Sequence, residues 1–459
     1  MSVFSLSNLK KTWYYLQKNG IRNAVWAVLE RIGQEQEVYT WQEPDEKTLS
    51  FQREHSASLR ISIVVPAYRT KKEHLEAMLN SVSRQSYPHW ELIVADAGGT
   101  AESVQAWAKK NGICLREAAD ASNLAEWMDQ SIMLCTLSEN KGISANTNAG
   151  IELAAGDAVG LLDHDDLLTA NALWEMADCL EKEKKRGKQK LVLFSDEDKC
   201  DGAASRFYEP NFKPDFDGEL LLTNNYICHF TVIETAFLKE LKLRSGFDGA
   251  QDYDLMLRAY AAGGQFVHVP KVLYHWRCHE ASTASNPQSK RYAYEAGQRA
   301  LEDYCLRKGW KATVSGLKHL GFYREDYEDS VFCQRPEIGI WAKPLPGGRD
   351  IFGIRHPKGF LVSGLYENDG SMRYAGLRKG YSGPMHRAAL QQSAPAADLR
   401  SMVVCSALKE RYAQTIAELK EACQGLPTAA QETKILQKSM EFCKEATAAG
   451  YGILWDPQA

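Results

Sequence analysis

Between residues 59 and 168 the chain alternates short apolar runs with stretches whose apolar positions fall three and four apart. LRISIVVP (59–66) reads as a strand stopped by proline, and 71–85 as a helix with Leu75, Met78, Leu79 and Val82 on one face. WELIVAD (90–96) is a second strand, ending in an acid before Gly98 and Gly99. A helix over 101–111 and a third strand over 132–137 follow. NKGISAN (140–146) leads a helix through Ala155, and AVGLL (158–162) is a buried strand that runs into Asp163, Asp165 and Asp166. This alternation predicts an α/β fold with a doubly wound, mostly parallel sheet. Ligands of such sheets bind outside the carboxyl ends of the strands. Asp96, Asp163 and Asp165 all stand at strand ends, so they are expected to converge on one crevice.

The acidic cluster admits two readings. Three carboxylates within four residues repel one another unless solvent or a cation neutralises them, and oxygen ligands suit a hard divalent ion that also grips a phosphate. Alternatively Asp165 or Asp166 caps the helix that starts near Asn171. Convergence with Asp96 favours the ligand reading. Further on, LVLF (191–194) is a strand ending in SDEDK (195–199), a helix runs from Gln251 to about Gly263, and Pro270 breaks a strand at 266–274. Before this region, residues 5–34 read as one or two helices in which Trp13, Tyr14, Trp26 and Leu29 alternate with Lys and Arg. Such a stripe either docks on its own domain, which is favoured, or lies on an anionic membrane surface. Residues 35–58 read as a linker.

Composition narrows the classes. A length of 459 residues suggests about three domains. A net charge of -4 gives no electrostatic case for nucleic acid. The eleven cysteines include no C-x-x-C pair, so neither a zinc site nor a disulfide framework is indicated, and reduced thiols in a cytoplasmic compartment are expected. No run approaches the ~20 apolar residues that cross a bilayer, so the expectation is a soluble or peripheral protein. G-x-G-x-x-G after the first strand and the Walker A loop are both missing, which disfavours nicotinamide enzymes and P-loop nucleotidases.

ISIVVPAYRT, ELIVADAGG, NKGISANTNAGIELAAGD, LLDHDDLL, SDEDK, GAQDYDLMLRA and KVLYHWR, in this order over about 59–325, together resemble a family 2 glycosyltransferase of the GT-A fold. They resemble in particular the bacterial enzymes that build surface polysaccharides. It implies inverting transfer of a sugar from a UDP- or dTDP-sugar to a glycan or lipid-linked acceptor hydroxyl, at the inner face of the cell membrane. It implies Mn²⁺ or Mg²⁺ on Asp163 and Asp165 with His275 as third ligand, Asp163 also serving the ribose. Asp252 would be the catalytic base, with Gln251 standing where many relatives carry Glu. Asp96 would read the nucleobase beside Pro66, Ala67 and Tyr68, while Asn140, Lys141, Gly142, Asn146, His164 and Arg277 would contact the rest of the donor. Asp196, Asp198 and His229 are placed on the acceptor side. For the Asn and Gly positions turn chemistry explains the residues equally well. For Asp252 the bland reading is a helix cap.

Residues 326–459 carry an internal echo: AYAAGGQFVHVPKV (259–272) aligns without gaps to ATAAGYGILWDPQA (446–459). The offset puts Ser439 at the place of Asp252 and Glu441 at that of Asp254. This third therefore reads as a degenerate, non-catalytic partial GT-A-like domain after a 1–58 helical extension and linker and a 59–325 transferase domain. The echo leaves open whether the C-terminal domain binds acceptor. Two rivals to the transferase reading are a silent sugar-binding or scaffolding protein of the same fold and a glycoside hydrolase, which also uses paired carboxylates.

Overall fold

Strand β1 (Ile61–Ala67) and strand β2 (Trp90–Asp96) are buried almost throughout, as near-continuous apolar runs in a covered parallel sheet should be. In this computed structural model they pair in parallel from Ile61 opposite Trp90 to Ala67 opposite Asp96, bringing their carboxyl ends level. The structure describes residues 39–118, 127–278, 291–317, 320–343, 365–366, 372–373, 390–394, 396–397, 402–414, 417–418 and 429–456. The expected helices at 5–34 lie outside these residues. Residues 43–459 form one unit.

The main sheet continues with β3 (Cys114–Ala118), β4 (Ser131–Thr136), β5 (Ala158–Leu161), β6 (Leu167–Leu168), β7 (Leu191–Asp201), β8 (Phe207–Asn211), β9 (Thr231–Glu234) and β10 (Gln265–Cys278). Its order is β3-β4-β2-β1-β5-β9-β7-β10-β6, with β8 beside β7. The first five strands are parallel, as is the β7–β10 pair; β9 runs antiparallel between β5 and β7. The architecture is thus mixed α/β around a mostly parallel sheet. One face is covered by α1 (Lys72–Ser83), α2 (Ala101–Asn111) and α4 (Ala172–Lys185), through Leu75, Met78, Val104, Trp107 and Met176 among others. Opposite them lie α3 (Ile143–Leu153) and α5 (Gln251–Ala261).

Two departures from expectation have simple causes. β10 passes through Pro270 without breaking, because register shifts between Val269, Val272 and Tyr274 take the proline out of the hydrogen-bond ladder. β3 is an edge strand of mixed polarity (CLREA) that gives no clear apolar alternation.

Past α6 (Arg291–Arg307), a hairpin of β11 (Ala312–Gly316) and β12 (Tyr323–Tyr327) leads to a second sheet. Its strands are β13 (Ile338–Ala342), β14 (Gln392–Ser393), β15 (Met402–Val404) and β16 (Gly452–Trp455), in the order β14-β16-β13-β15. The sequence echo is visible as structure. α5 ends at Gly263 (φ +78) before β10, and α7 (Ala429–Ala448) ends at Gly450 (φ +91) before β16. Each returning strand pairs in parallel with an earlier one, β7 or β13. Ser439, at the place of Asp252, is fully buried.

The second sheet is tied to the rest of this unit by buried charge. Both Nη atoms of Arg335 reach the Glu219 carboxylate at 2.6 Å, and Ser393 donates its N–H (3.1 Å) and hydroxyl (2.7 Å) to Asp217.

Candidate active site

The crevice lies outside the carboxyl ends of β1, β2 and β5. Tyr68, just past β1, is 40% exposed and lies against Gly98 past β2, a half-open aromatic platform between two strand ends. Pro66 is half-buried and Ala67 buried behind it. Asp96 is buried, and its carboxylate accepts from the N–H groups of Gly98 (3.0 Å), Thr100 (3.2 Å) and Ala101 (2.8 Å). Its charge is thereby committed to the first turn of α2.

The loop before α3 is held by its own amides. Asn140 Oδ1 accepts from Gly142 N (3.1 Å) and Asn146 Nδ2 (2.9 Å), and Asn146 Oδ1 accepts from Lys141 N (3.4 Å). Lys141 is exposed and pairs with Glu139 at 3.1 Å. Gly142 adopts φ +95, and a Cβ there would meet Asp248 Oδ2 at 2.4 Å. Asp248 in turn receives Ser144 N (3.3 Å) and Ser144 Oγ (2.5 Å). It lies in the loop that leads to Asp252, so it ties the α3 loop to the α5 loop. No sequence signal singled it out.

Three carboxylates follow β5 and differ in role. Asp166 is buried; it accepts from Tyr274 Oη (2.5 Å) and Arg277 N (2.7 Å), and burial, with Asp165 and Asp163 next, holds its pKa well above the ordinary carboxylate range. Asp163 and Asp165 are only half-buried. Helix α4 has Asn171 at its N-cap with no side-chain cap bond, so neither Asp165 nor Asp166 caps it. Asp163 is raised by burial above all; His229 and His164 counter this, while Asp165 and Asp252 add to it. Asp163, Asp165 and Asp252 therefore share one electrostatic field. His164 lies 4.0 Å from Asp165 Oδ1.

The histidine that faces Asp163 is His229, Nε2 to Oδ2 at 3.9 Å, rather than His275. The pleat of β10 explains this: successive side chains point to opposite faces. Tyr274 stacks on His229 at 5.0 Å, whereas His275 turns away and its Nδ1 meets Asp198 Oδ1 at 2.5 Å. Beneath His229, Glu197 lies 3.4 Å from its Nδ1 and accepts its backbone N–H at 2.7 Å. Burial disfavours the imidazolium, but the Glu197 hydrogen bond and charge, followed by Asp163 and Asp166, more than offset it and lift the His229 pKa to about 9. Burial likewise opposes ionisation of Glu197; Lys213 and His229 outweigh it and leave that carboxyl at about 2. Lys213 is buried and donates to the carbonyls of Ile227 (2.8 Å) and His229. Asp196 and Asp198, expected on the acceptor side, are interior: Asp196 accepts from Lys213 N and meets His268 Nε2, each at 2.8 Å.

Asp252 is the second residue of α5 and half-buried. Its Oδ2 accepts from Asn225 Nδ2 (3.1 Å) and its Oδ1 from Tyr253 N (2.8 Å), while the N-cap position belongs to Ala250. Gln251 Oε1 accepts from Gly249 N at 2.8 Å, a turn contact. Asp254 is spent on packing, held by Arg244 and by Arg258 (2.9 Å). Arg277 is buried; its Nε and Nη1 donate to the carbonyls of Asp165 (2.5 Å) and Gly202 (2.7 Å), and its Nη2 has no partner.

Among the described residues no three His, Cys, Asp or Glu side chains converge as metal ligands. Asp163 and Asp165 nevertheless fit a hard cation that takes one or two protein carboxylates and completes its shell with phosphate oxygens and water. Their crowding beside Asp252 and Asp166 is the unfavourable charge such an ion would relieve.

Residues 62–241 match the model of glycosyl transferase family 2. The chain is 34% identical over 256 residues to the O-antigen biosynthesis protein RfbC of Myxococcus xanthus, covering 56% of this chain and 19% of that protein. It is 36% identical over 255 residues to the uncharacterized protein y4gI of Sinorhizobium fredii, covering 55% of this chain and 26% of that one. The chain thus spans about a quarter or less of the length of these two relatives. It is 27% identical over 231 residues to the amylovoran biosynthesis glycosyltransferase AmsB of Erwinia amylovora, 47% of this chain and 70% of that protein. The crystal structure of S. aureus TarS 1-349 in complex with UDP-GlcNAc matches at a TM-score of 0.40 and 20% identity, over 54% of this chain and 67% of that one, too distant to carry an argument about the site.

Proposed function

We propose that this chain, whose residues 62–241 match the model of glycosyl transferase family 2, moves a sugar from a UDP- or dTDP-sugar to a glycan or lipid-linked acceptor in surface polysaccharide synthesis, inverting the anomeric carbon. The reading extends to this chain what the names of RfbC and AmsB say of those proteins. The observation that carries it is the common field of Asp163, Asp165 and Asp252 beside an aromatic platform at two strand ends.

In this reading Tyr68 stacks on the nucleobase, and the loop of Asn140 and Gly142 lies along the ribose and diphosphate. Asp163 and Asp165 would hold Mn²⁺ or Mg²⁺, which would supply charge neutralisation for the leaving diphosphate. His229, kept cationic by Glu197, and the unpartnered Nη2 of Arg277 add positive charge on the same side. The acceptor oxygen attacks the anomeric carbon as the bond to the diphosphate oxygen breaks. The diphosphate leaves with the electron pair, and the acceptor proton passes to Asp252, whose carboxylate Asn225 orients. The C-terminal third, with Ser439 in place of the base, is a non-catalytic partial copy. No helix of the described residues is long and apolar enough to cross a membrane. In this reading a lipid-linked acceptor would be met at the membrane's inner face.

The test is a thermal-shift panel of UDP- and dTDP-sugars with Mn²⁺. A true donor at ~100 times its Kd should stabilise the protein by about 2.7 kcal/mol. If no nucleotide sugar shifts the melting temperature and none is turned over, the transferase reading falls and the silent-protein rival stands.

A further inference from the structure

Helix α3 has no cap of its own. Its N-cap position is Gly142, which has no side chain, so the N–H groups of the first turn depend on an outside acceptor. Asp248, 104 residues beyond Ser144, supplies it: Oδ1 accepts both the Ser144 N–H (3.3 Å) and the Ser144 hydroxyl (2.5 Å). Its Oδ2 fills the space that a capping side chain at residue 142 would take, 2.4 Å from the place of a Cβ. A carboxylate also suits the positive end of the helix dipole. The amino end of α3 is thus closed by the protein itself.

Asp248 belongs to the segment 243–250, which delivers Asp252, and that segment is held along its length. At its start Asn148, one turn along α3, accepts the Leu243 N–H (2.9 Å) and donates to the Leu243 carbonyl (2.8 Å). Arg244 reaches Asp254 of α5 and, at 2.6 Å, Asp303 of α6. Arg299 of α6 donates to the Gly246 carbonyl at 3.3 Å. Past Asp248 the chain enters α5 within three residues, braced by Ala250 N–H on the Phe247 carbonyl (2.8 Å) and Gly249 N–H on Gln251 Oε1 (2.8 Å). On the other side, Ser144 stands two residues past Gly142, whose own N–H goes to Asn140 at 3.1 Å. Of the two ties to α3, Asn148 holds the far end of the segment and Asp248 the end next to the base. One carboxylate therefore joins the loop given to the donor to the helix that carries Asp252.

We propose that Asp248 is a positioning residue, which carries the ordering of the donor loop to the base. The proposal rests on the transferase reading of that loop and of Asp252. Asp248 itself is spent on Ser144 and touches no reacting atom. When a donor orders residues 140–142, the start of α3 is ordered with them, and the Ser144–Asp248 bonds pass that constraint to the segment 243–250. Such a link matters because a group misplaced by about 1 Å can cost on the order of a hundredfold in rate.

Hydrogen exchange of the full chain, with and without saturating UDP or dTDP and Mn²⁺, tests the link. In wild type the nucleotide should slow exchange at 140–147 and also at 243–253. Asp248→Ala should keep the slowing at 140–147 and lose it at 243–253. Asp248→Asn, whose amide oxygen can accept the same two hydrogen bonds, should restore it. A side chain that only stabilised the fold would leave the nucleotide's effect on 243–253 intact in Asp248→Ala. That result, or slowing confined to 140–147 in wild type, overturns the proposal while the transferase reading stands. Should Asp248→Ala fail to fold, Ser144→Ala takes its place: it removes the shorter bond and should lose at least half of the slowing at 243–253, and full slowing there overturns the link. A chain that takes up neither nucleotide removes the transferase reading and the link with it.

Discussion

Replacing Glu325 by Gln should change how stability depends on pH. Glu325 is 3% exposed, and its natural counter-ion is engaged elsewhere, because Arg335 spends both Nη atoms on Glu219. Burial is the main cause that moves its pKa from 4.5 to about 8. The sign follows from proton counting. Below the unfolded value of 4.5 both states are protonated and nothing is lost. Between 4.5 and 8 only the folded state keeps the proton, so stability falls as pH rises; above 8 the loss levels off. The full loss is roughly 5 kcal/mol at 1.36 kcal/mol per pH unit, with about 4 kcal/mol of it between pH 5 and 8.5. Glutamine keeps the shape and cannot ionise. Urea denaturation of wild type and Glu325→Gln at pH 5, 7 and 8.5 isolates the contribution as the difference between the two curves. The variant should gain on wild type steadily with pH. Parallel curves would show that Glu325 titrates at an ordinary value, refuting its burial as an uncompensated carboxyl.

Other consequences follow from single contacts. Arg335→Ala strands the buried Glu219 and should cost about 3–5 kcal/mol, whereas Arg335→Met with Glu219→Met should recover most of it; equal losses in both would deny a buried ion pair. Gly142→Ala puts a Cβ 2.4 Å from Asp248 Oδ2 at φ +95, so it should cost about 1–2 kcal/mol and raise the donor KM more than it lowers kcat. An unchanged donor KM would detach this loop from the donor. His229→Asn removes the cation facing Asp163 and should weaken donor binding about tenfold; wild-type affinity would exclude His229 from the donor side.

The strands carrying the crevice were legible because parallel strands covered on both faces are written as apolar runs, and β1, β2 and β5 end where the sequence turns polar. The acidic positions were legible as positions, but their partners were not. Asp96 and Asp163 look alike as strand-end acids, yet three backbone N–H groups take up Asp96 whereas Asp163 meets a histidine. Choosing between His229 and His275 requires knowing which face of β10 meets the crevice, a fact set by pairing with β7 and β6. The echo announced a repeated helix–turn–strand, which feeds a parallel strand into each of the two sheets.

The central claim is that Asp165 serves the donor's diphosphate and Asp252 the acceptor's proton, in one crevice. The most direct measurement is donor binding and transfer in Asp165→Asn and Asp252→Asn, with Mn²⁺ present and absent. The account predicts that Asp165→Asn loses the Mn²⁺-dependent part of donor affinity, while Asp252→Asn binds donor like wild type and loses transfer by at least a hundredfold. Full transfer by Asp252→Asn, or an intact Mn²⁺ effect in Asp165→Asn, would contradict it.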